Sequence, residues 1–217
     1  MTEHVAERQE RQEFDRELGA IEAKVIELFT TVAEDVPQAT DALLSGNSDA
    51  VQALTGRDLV IDALYPRIEE LADREILLQQ PVAADLRLLI SVLRVVPELE
   101  RCGDLAAHIA SRAATGMAMR LTPVVRGLLE EMATICSGMW RRAADAWAER
   151  DGDVAAELDK IDDQLDTLHE TLVAELERAD LALRDALQMT LVGRFYERLG
   201  DHAVHISERV RYLATGT

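Results

Sequence analysis

The sequence predicts an all-α protein made of two tandem three-helix bundles, six long helices in all, and three observations carry that expectation. A thirteen-residue stretch occurs twice, as ERCGDLAAHIASR at 100–112 and ERLGDHAVHISER at 197–209, with eight of thirteen positions identical. Its offset of 97 in a chain of 217 residues indicates two copies of one unit. Apolar residues also recur at three- and four-residue steps through six long segments. Finally, hydrophobic residues reach 48% while aromatics are only 4%, a balance that suits packed helices.

Taken in order, the first helix is expected from Gln9 into the mid-40s, through Phe14, Leu18, Ile21, Val25, Leu28, Val32 and Val36. Pro37 falls inside it and is expected to kink or end it, since an interior proline costs about 3 kcal/mol. Ser45-Gly46-Asn47-Ser48 reads as the first turn. The second helix spans about 49–79, with Pro66 inside the pattern. The third starts near Pro81, passes Pro97 and the first signature, and runs to about Thr115. Thr122-Pro123 reads as an N-cap followed by a first-turn proline. The fourth helix covers about 123–149, and Asp151-Gly152-Asp153 makes the next turn. The fifth covers about 153–178 and the sixth about 181–214. The halves divide into 1–118 and 119–217.

The formal charge of −18 argues against nucleic acid and anionic lipid, which need basic surfaces. It also disfavours direct phosphate binding unless a metal supplies positive charge. It favours cations, or a basic face on a partner. No apolar run approaches a membrane span, and the first residues, MTEHVAERQERQEFDREL, lack a signal peptide's apolar region. Cys102 and Cys136 read as reduced packing residues. These features together predict a cytoplasmic protein.

The signature carries the candidate chemistry. Residues four apart on a helix share a face, about 6 Å apart along the axis. Glu100, Asp104 and His108 form one stripe, and Glu197, Asp201 and His205 form its copy. Placing two carboxylates one turn apart is repulsive, and a cation offsets that. On the second helix Asp58 and Asp62 are four apart; at an offset of 101 they align with Asp159 and Asp163, with Asp162 as an alternative to Asp163. The change from 101 to 97 implies a four-residue deletion. Clustered carboxylates suit hard cations. Glu100 and His108 lie about 12 Å apart along the axis, too far for one ion, so the stripe fits a multinuclear cluster better than a single ion. For each histidine the competing reading is a hydrogen-bond partner of a carboxylate. Arg101 and Arg198 point off the acidic stripe and are candidates for pairing between helices, halves or partners. Asp85 and Arg87 are further partner candidates, against a reading as helix cap and surface ion pair.

The chain resembles the PhoU family in QPVAADLR at 80–87, LRVVPELERCGDLAAHIA at 93–110 and GRFYERLGDHAVHISERVRYLATG at 193–216. The resemblance implies two three-helix bundles. It implies multinuclear iron or zinc clusters, in some members, on the two E-x-x-x-D motifs, here Glu100 with Asp104 and Glu197 with Asp201. It also implies a negative regulator of phosphate uptake and of the phosphate-starvation response. Its partners would be the ATPase of an ATP-binding-cassette phosphate transporter and a sensor histidine kinase. A homodimer is expected on separate grounds, because two three-helix bundles need each other, or a dimer partner, to cover their remaining apolar surface. His108 and His205 stand where asparagine is common in that family. The rival readings are a carboxylate-bridged metalloenzyme, which lacks its Glu-x-x-His spacing here, and a metal-free helical scaffold.

Overall fold

The structure, a computed structural model, describes the backbone of residues 2–216 and the side chains of all these except 2–7, 114, 115 and 117. Six helices run in order: α1 Thr2–Ser45, α2 Ser48–Gln79, α3 Ala83–Ser111, α4 Pro123–Glu149, α5 Val154–Arg178 and α6 Leu183–Thr215. Two 3₁₀ turns, Arg112–Thr115 and Met117–Arg120, join the halves. Among the described residues there is no strand. Among the described residues no helix is long and apolar enough to cross a membrane.

Local sequence explains most boundaries. Asn47 caps α2, its Oδ1 accepting from the N–H groups of Asp49 and Ala50 at 3.0 and 3.2 Å. Thr122 caps α4 through Val125 N–H at 3.2 Å, with Pro123 in the first turn. The third helix begins later than the sequence suggested. Gln80 adopts a left-handed backbone, so Pro81 sits in the corner and α3 starts at Ala83. The third helix also stops at Ser111, and tighter 3₁₀ turns carry the chain on to Arg120.

Pro37 neither ends nor interrupts α1. Its missing N–H leaves the Ala33 carbonyl without its helical donor. Ser137 of α4 supplies one instead, its Oγ donating to Ala33 O at 2.8 Å. A defect inside the helix thereby becomes a tie between the two halves.

In each half the second and third helices lie side by side, α2 on α3 and α5 on α6, and the first packs against both. The halves meet like on like, α1 against α4 and α3 against α6. That is the arrangement expected of two repeats related by a two-fold. One continuous apolar core spans both, with Phe29 of α1 between Trp140 and Trp147 of α4 at ring separations of 6.2 and 6.0 Å. Burial of this kind contributes about 25 cal/mol per Å² of apolar surface and dominates the stability.

The buried residues of α2 and α5 fix the register between the copies. Leu54, Ile61, Ile68 and Ala72 correspond to Leu158, Leu165, Leu172 and Leu176, an offset of 104. With 97 between α3 and α6, the second copy is shorter by seven residues and not by four; α2 has 32 residues and α5 has 25. Seven residues are nearly two helical turns, so the shortening keeps the buried face in phase.

Candidate metal centres

A glycine makes each site possible. Gly103 of α3 sits where a Cβ would come within 2.9 Å of Ile61 Cδ1 and 3.3 Å of Asp58 Oδ1. At Gly200 of α6 a Cβ would overlap Asp162 Oδ1 and lie 2.7 Å from Leu165 Cδ2. The signature glycine, lying between Glu and Asp, thus lets the neighbouring helix approach closely enough to tuck an aspartate under the acidic stripe.

In the first half this assembles Asp58 and Asp62 of α2 with Glu100 and Asp104 of α3, as the spacing suggested. Burial, then the charges of Asp104, Asp62 and Glu100, push Asp58 up to about 6, while His108 draws it down. Burial and the same acidic neighbours raise Glu100, against the pull of Arg101. Tyr65, one turn along α2 and hydrogen-bonded to Glu69, is raised by burial and by Glu69 and Glu100.

In the second half the partners of Glu197 and Asp201 are Asp162 and Asp166. Asp159 and Asp163, expected there at an offset of 101, do not fill this place: it is Asp162 whose Oδ1 lies against Gly200. The acids of α5 stand every three or four residues and allow more than one register, and the buried leucines select the offset of 104. Burial, followed by Asp166, Asp201, Asp159 and Glu197, pushes Asp162 up to about 7. Burial and then Glu197 and Asp201 raise Asp166, opposed by His169.

Two partners of Glu197 here lie outside the candidate site residues that the sequence suggested. His169 occupies the place of Tyr65, and its Nδ1 lies 2.9 Å from Glu197 Oε2. Arg194 occupies the place of Pro97 and is also paired with Glu197. Gly193 lets His169 approach, since a Cβ there would fall 2.8 Å from its ring. The pairings run between helices or to a position where the first copy has proline, so a search for repeated residues passes over them.

The remaining candidates lie elsewhere. His108 and His205 are exposed; His108 is close enough to influence Asp58 and stacks on Phe195 at 5.9 Å. His205 lies on the side of α6 facing α3, beside Pro97 and Glu98. His202 is buried and its Nδ1 is 2.5 Å from Glu98 Oε2, joining α6 to α3. Asp85 accepts from Arg11 of α1 at 2.9 Å, and Arg87 packs on the chain end at Gly216. Both therefore have structural partners. Arg101 pairs loosely with Glu98, 3.4 Å away, and lines one groove with Arg198.

The donors are hard carboxylate oxygens on two paired, partly open faces. Asp58 Oδ1 and Asp162 Oδ1 are buried and accept no hydrogen bond. No three of the described His, Cys, Asp and Glu side chains converge on one point as they stand. The oxygens form a row along each helix seam, and not a closed cage.

A duplicated helical bundle with an open carboxylate row in each half defines a class of α-helical repeat scaffold. The PhoU domain profile matches residues 25–113 and again 129–210. The chain is 32% identical over 213 residues to the phosphate-specific transport system accessory protein PhoU homolog of Deinococcus radiodurans, covering 95% of this chain and 99% of that one. It is 30% identical over 210 residues to PhoU homolog 1 of Mycobacterium leprae, covering 95% of each. The crystal structure of PhoU from Pseudomonas aeruginosa superposes with a TM-score of 0.85 at 31% identity, covering 94% of this chain and all of that one. The phosphate transport system regulatory protein PhoU of Streptococcus pneumoniae gives 0.81 at 26% identity, covering 94% of this chain and 98% of that one. The chain belongs to the PhoU family.

Proposed function

We propose that this chain is a cytoplasmic negative regulator of phosphate uptake and of the phosphate-starvation response, acting as a metal-binding helical adaptor and not as an enzyme. The observation that carries the reading is the pair of open carboxylate rows, one in each half, on a chain whose relatives are named as accessory proteins of phosphate-specific transport. The partners proposed are the ATPase of an ATP-binding-cassette phosphate transporter, a sensor histidine kinase and a second copy of the chain. Leu183, Leu187 and Leu191, 44–75% exposed in a row on α6, offer apolar surface for the second copy.

The residues fit hard cations in chemistry and number. Asp58, Asp62, Glu100 and Asp104 would hold them in the first half, and Asp162, Asp166 and Asp201 in the second. Iron or zinc bound there would supply positive charge that cancels the mutual repulsion of the row. The orphaned oxygens of Asp58 and Asp162 support this. Because the oxygens are spread along a seam, binding several ions with solvent completing each shell suits them better than one buried ion. The remaining acidic surface would dock on basic faces of the partners.

The test is phosphate uptake in cells lacking the endogenous protein, complemented with the parent chain or with Asp104→Ala/Asp201→Ala. The parent is expected to restore restraint of uptake and the double variant to lose it while keeping its helical content. Full restraint by a double variant shown to be metal-free would refute the metal-dependent reading.

A further inference from the structure

The two arginines that follow the signature glutamates, Arg101 and Arg198, occupy equivalent places in the two repeats. The antiparallel packing of α3 on α6 brings both to one surface groove of about 360 Å³. His108 of α3, Arg112 of the following 3₁₀ turn, and His202 and Phe195 of α6 share it, and Asp104 is the one acid lining it. Such a concentration of cations is unexpected in a chain with 41 acidic and 23 basic residues. It also sits at a helix–helix seam that would ordinarily be lined by apolar side chains.

The existing partners leave anion-binding capacity over. Arg198 makes no hydrogen bond or ion pair among the described residues. Arg101 reaches Glu98 only at 3.4 Å, and its side chain is 61% exposed. His202 uses Nδ1 on Glu98, while its buried Nε2 has no hydrogen-bond partner. By contrast Arg112 lies over the Phe195 ring, 4.6 Å from its centre, and donates to the His108 carbonyl.

We propose that Arg101 and Arg198, with His202 and Asp104, form a binding site for one hydrogen phosphate ion at the junction of the repeats. Two guanidinium forks match a divalent tetrahedral oxyanion and offset the repulsion between the arginines themselves. With Nδ1–H donated to Glu98, the His202 Nε2 accepts from the single O–H of hydrogen phosphate, a bond that sulfate cannot supply. The Asp104 carboxylate repels the oxyanion from its side of the groove and so confines it toward the two arginines and His202. The shared chemistry is a phosphoryl group, and free phosphate is favoured over a nucleotide because Arg112 and His108 already crowd the Phe195 ring on which a base would stack. The overall charge of −18 sets the far field, but the local cations decide this groove. The site goes beyond the adaptor reading and concerns the isolated chain, so failure to bind a transporter or kinase would leave it standing.

The test is equilibrium dialysis of the full chain, kept in chelator, against radiolabelled inorganic phosphate at fixed chloride. Sulfate and ATP serve as competitors. The parent is expected to bind one phosphate per chain saturably, with sulfate and ATP both weaker competitors than phosphate. Arg101→Gln/Arg198→Gln should weaken binding by at least about tenfold, the loss of charge-assisted hydrogen bonds. Arg16→Gln/Arg141→Gln, an equal charge change at exposed positions outside the groove, should leave binding unchanged. Circular dichroism checks that both variants remain helical. Absence of saturable binding in chelator, equal weakening by both double variants, or tighter binding of ATP or sulfate than of phosphate would each overturn the assignment.

Discussion

The two carboxylate rows descend from one repeat, yet their charges are balanced at opposite ends. In the first half Glu100 has only Arg101 working against its acidic neighbours, and His108 relieves Asp58 at the other end. In the second half Glu197 is held by both His169 and Arg194, while the shift of Asp162 has only acids behind its charge contribution. Three substitutions make the difference: Tyr65 against His169, Pro97 against Arg194, and Val96 against Gly193, which lets the histidine in. Duplication has preserved the row of donors, and its neighbours have changed which donors are available. Glu100 is open to a cation. Glu197 must first give up two partners.

The comparison can be sharpened by substitution, beginning with the glycines. Gly200→Ala should displace Asp162 and Leu165 and cost roughly 1–3 kcal/mol, the usual range for overpacking. Gly103→Ala meets the flexible end of Ile61 at 2.9 Å and Asp58 Oδ1 at 3.3 Å, looser contacts than those at Gly200, and should cost less. Chemical denaturation of both variants measures the difference, and equal costs would mean that the two approaches are equally tight.

A second contrast is pH. Asp58 and Asp162 hold protons to about 6 and about 7 in the folded chain, whereas an unfolded aspartate releases them near 4. The folded chain thus binds more protons between those limits, so in chelator its stability should fall as pH rises from about 4 to 7 and then level off. Asp35, raised to about 6 by burial despite Arg57, contributes to the same slope. Asp58→Asn and Asp162→Asn should each restore about 1–2 kcal/mol at pH 8, a figure reduced for partial solvent screening, with the larger gain at Asp162. Thermal melts at pH 5 and pH 8 read this out, and a slope unchanged in both variants would place the protons elsewhere.

The internal prolines separate the halves too, since 37, 66 and 97 all lie in the first. Ser137→Ala should cost about 1 kcal/mol by orphaning the Ala33 carbonyl. Ser137→Thr, which keeps a hydroxyl, should recover part of it. The smallest effect is expected at Arg194→Gln, which should raise cation affinity in the second half by a few-fold, about the contribution of one partly exposed pair. Calorimetric titration with manganese would show it.

The sequence revealed the helices because their apolar periodicity is long and strong, and because Asn47, Thr122 and Gly46 punctuate them in familiar ways. It revealed Glu100, Asp104, Glu197 and Asp201 because they repeat. It misplaced the acids of α5, where Asp159, Asp162, Asp163 and Asp166 crowd one helix and charge spacing alone does not select a face. The signal that does select it, four leucines in step with Leu54, Ile61, Ile68 and Ala72, is apolar and was present in the same residues. His169 and Arg194 were hidden for another reason: they mark where the repeats differ, and their meaning depends on contacts that only packing creates. The groove at Arg101 and Arg198 shows the same dependence, because two equivalent residues become one site only when α3 lies on α6.

The inequivalence of the two rows is tested most directly by comparing Glu100→Gln with Glu197→Gln. Each protein would be loaded with iron or zinc under identical conditions, freed of excess metal and its metal content measured per chain. Glu100→Gln is expected to lose a large share of the bound metal, and Glu197→Gln to stay close to the parent. Equal losses, or a greater loss in Glu197→Gln, would contradict the assignment of an available glutamate to the first row and a partnered one to the second.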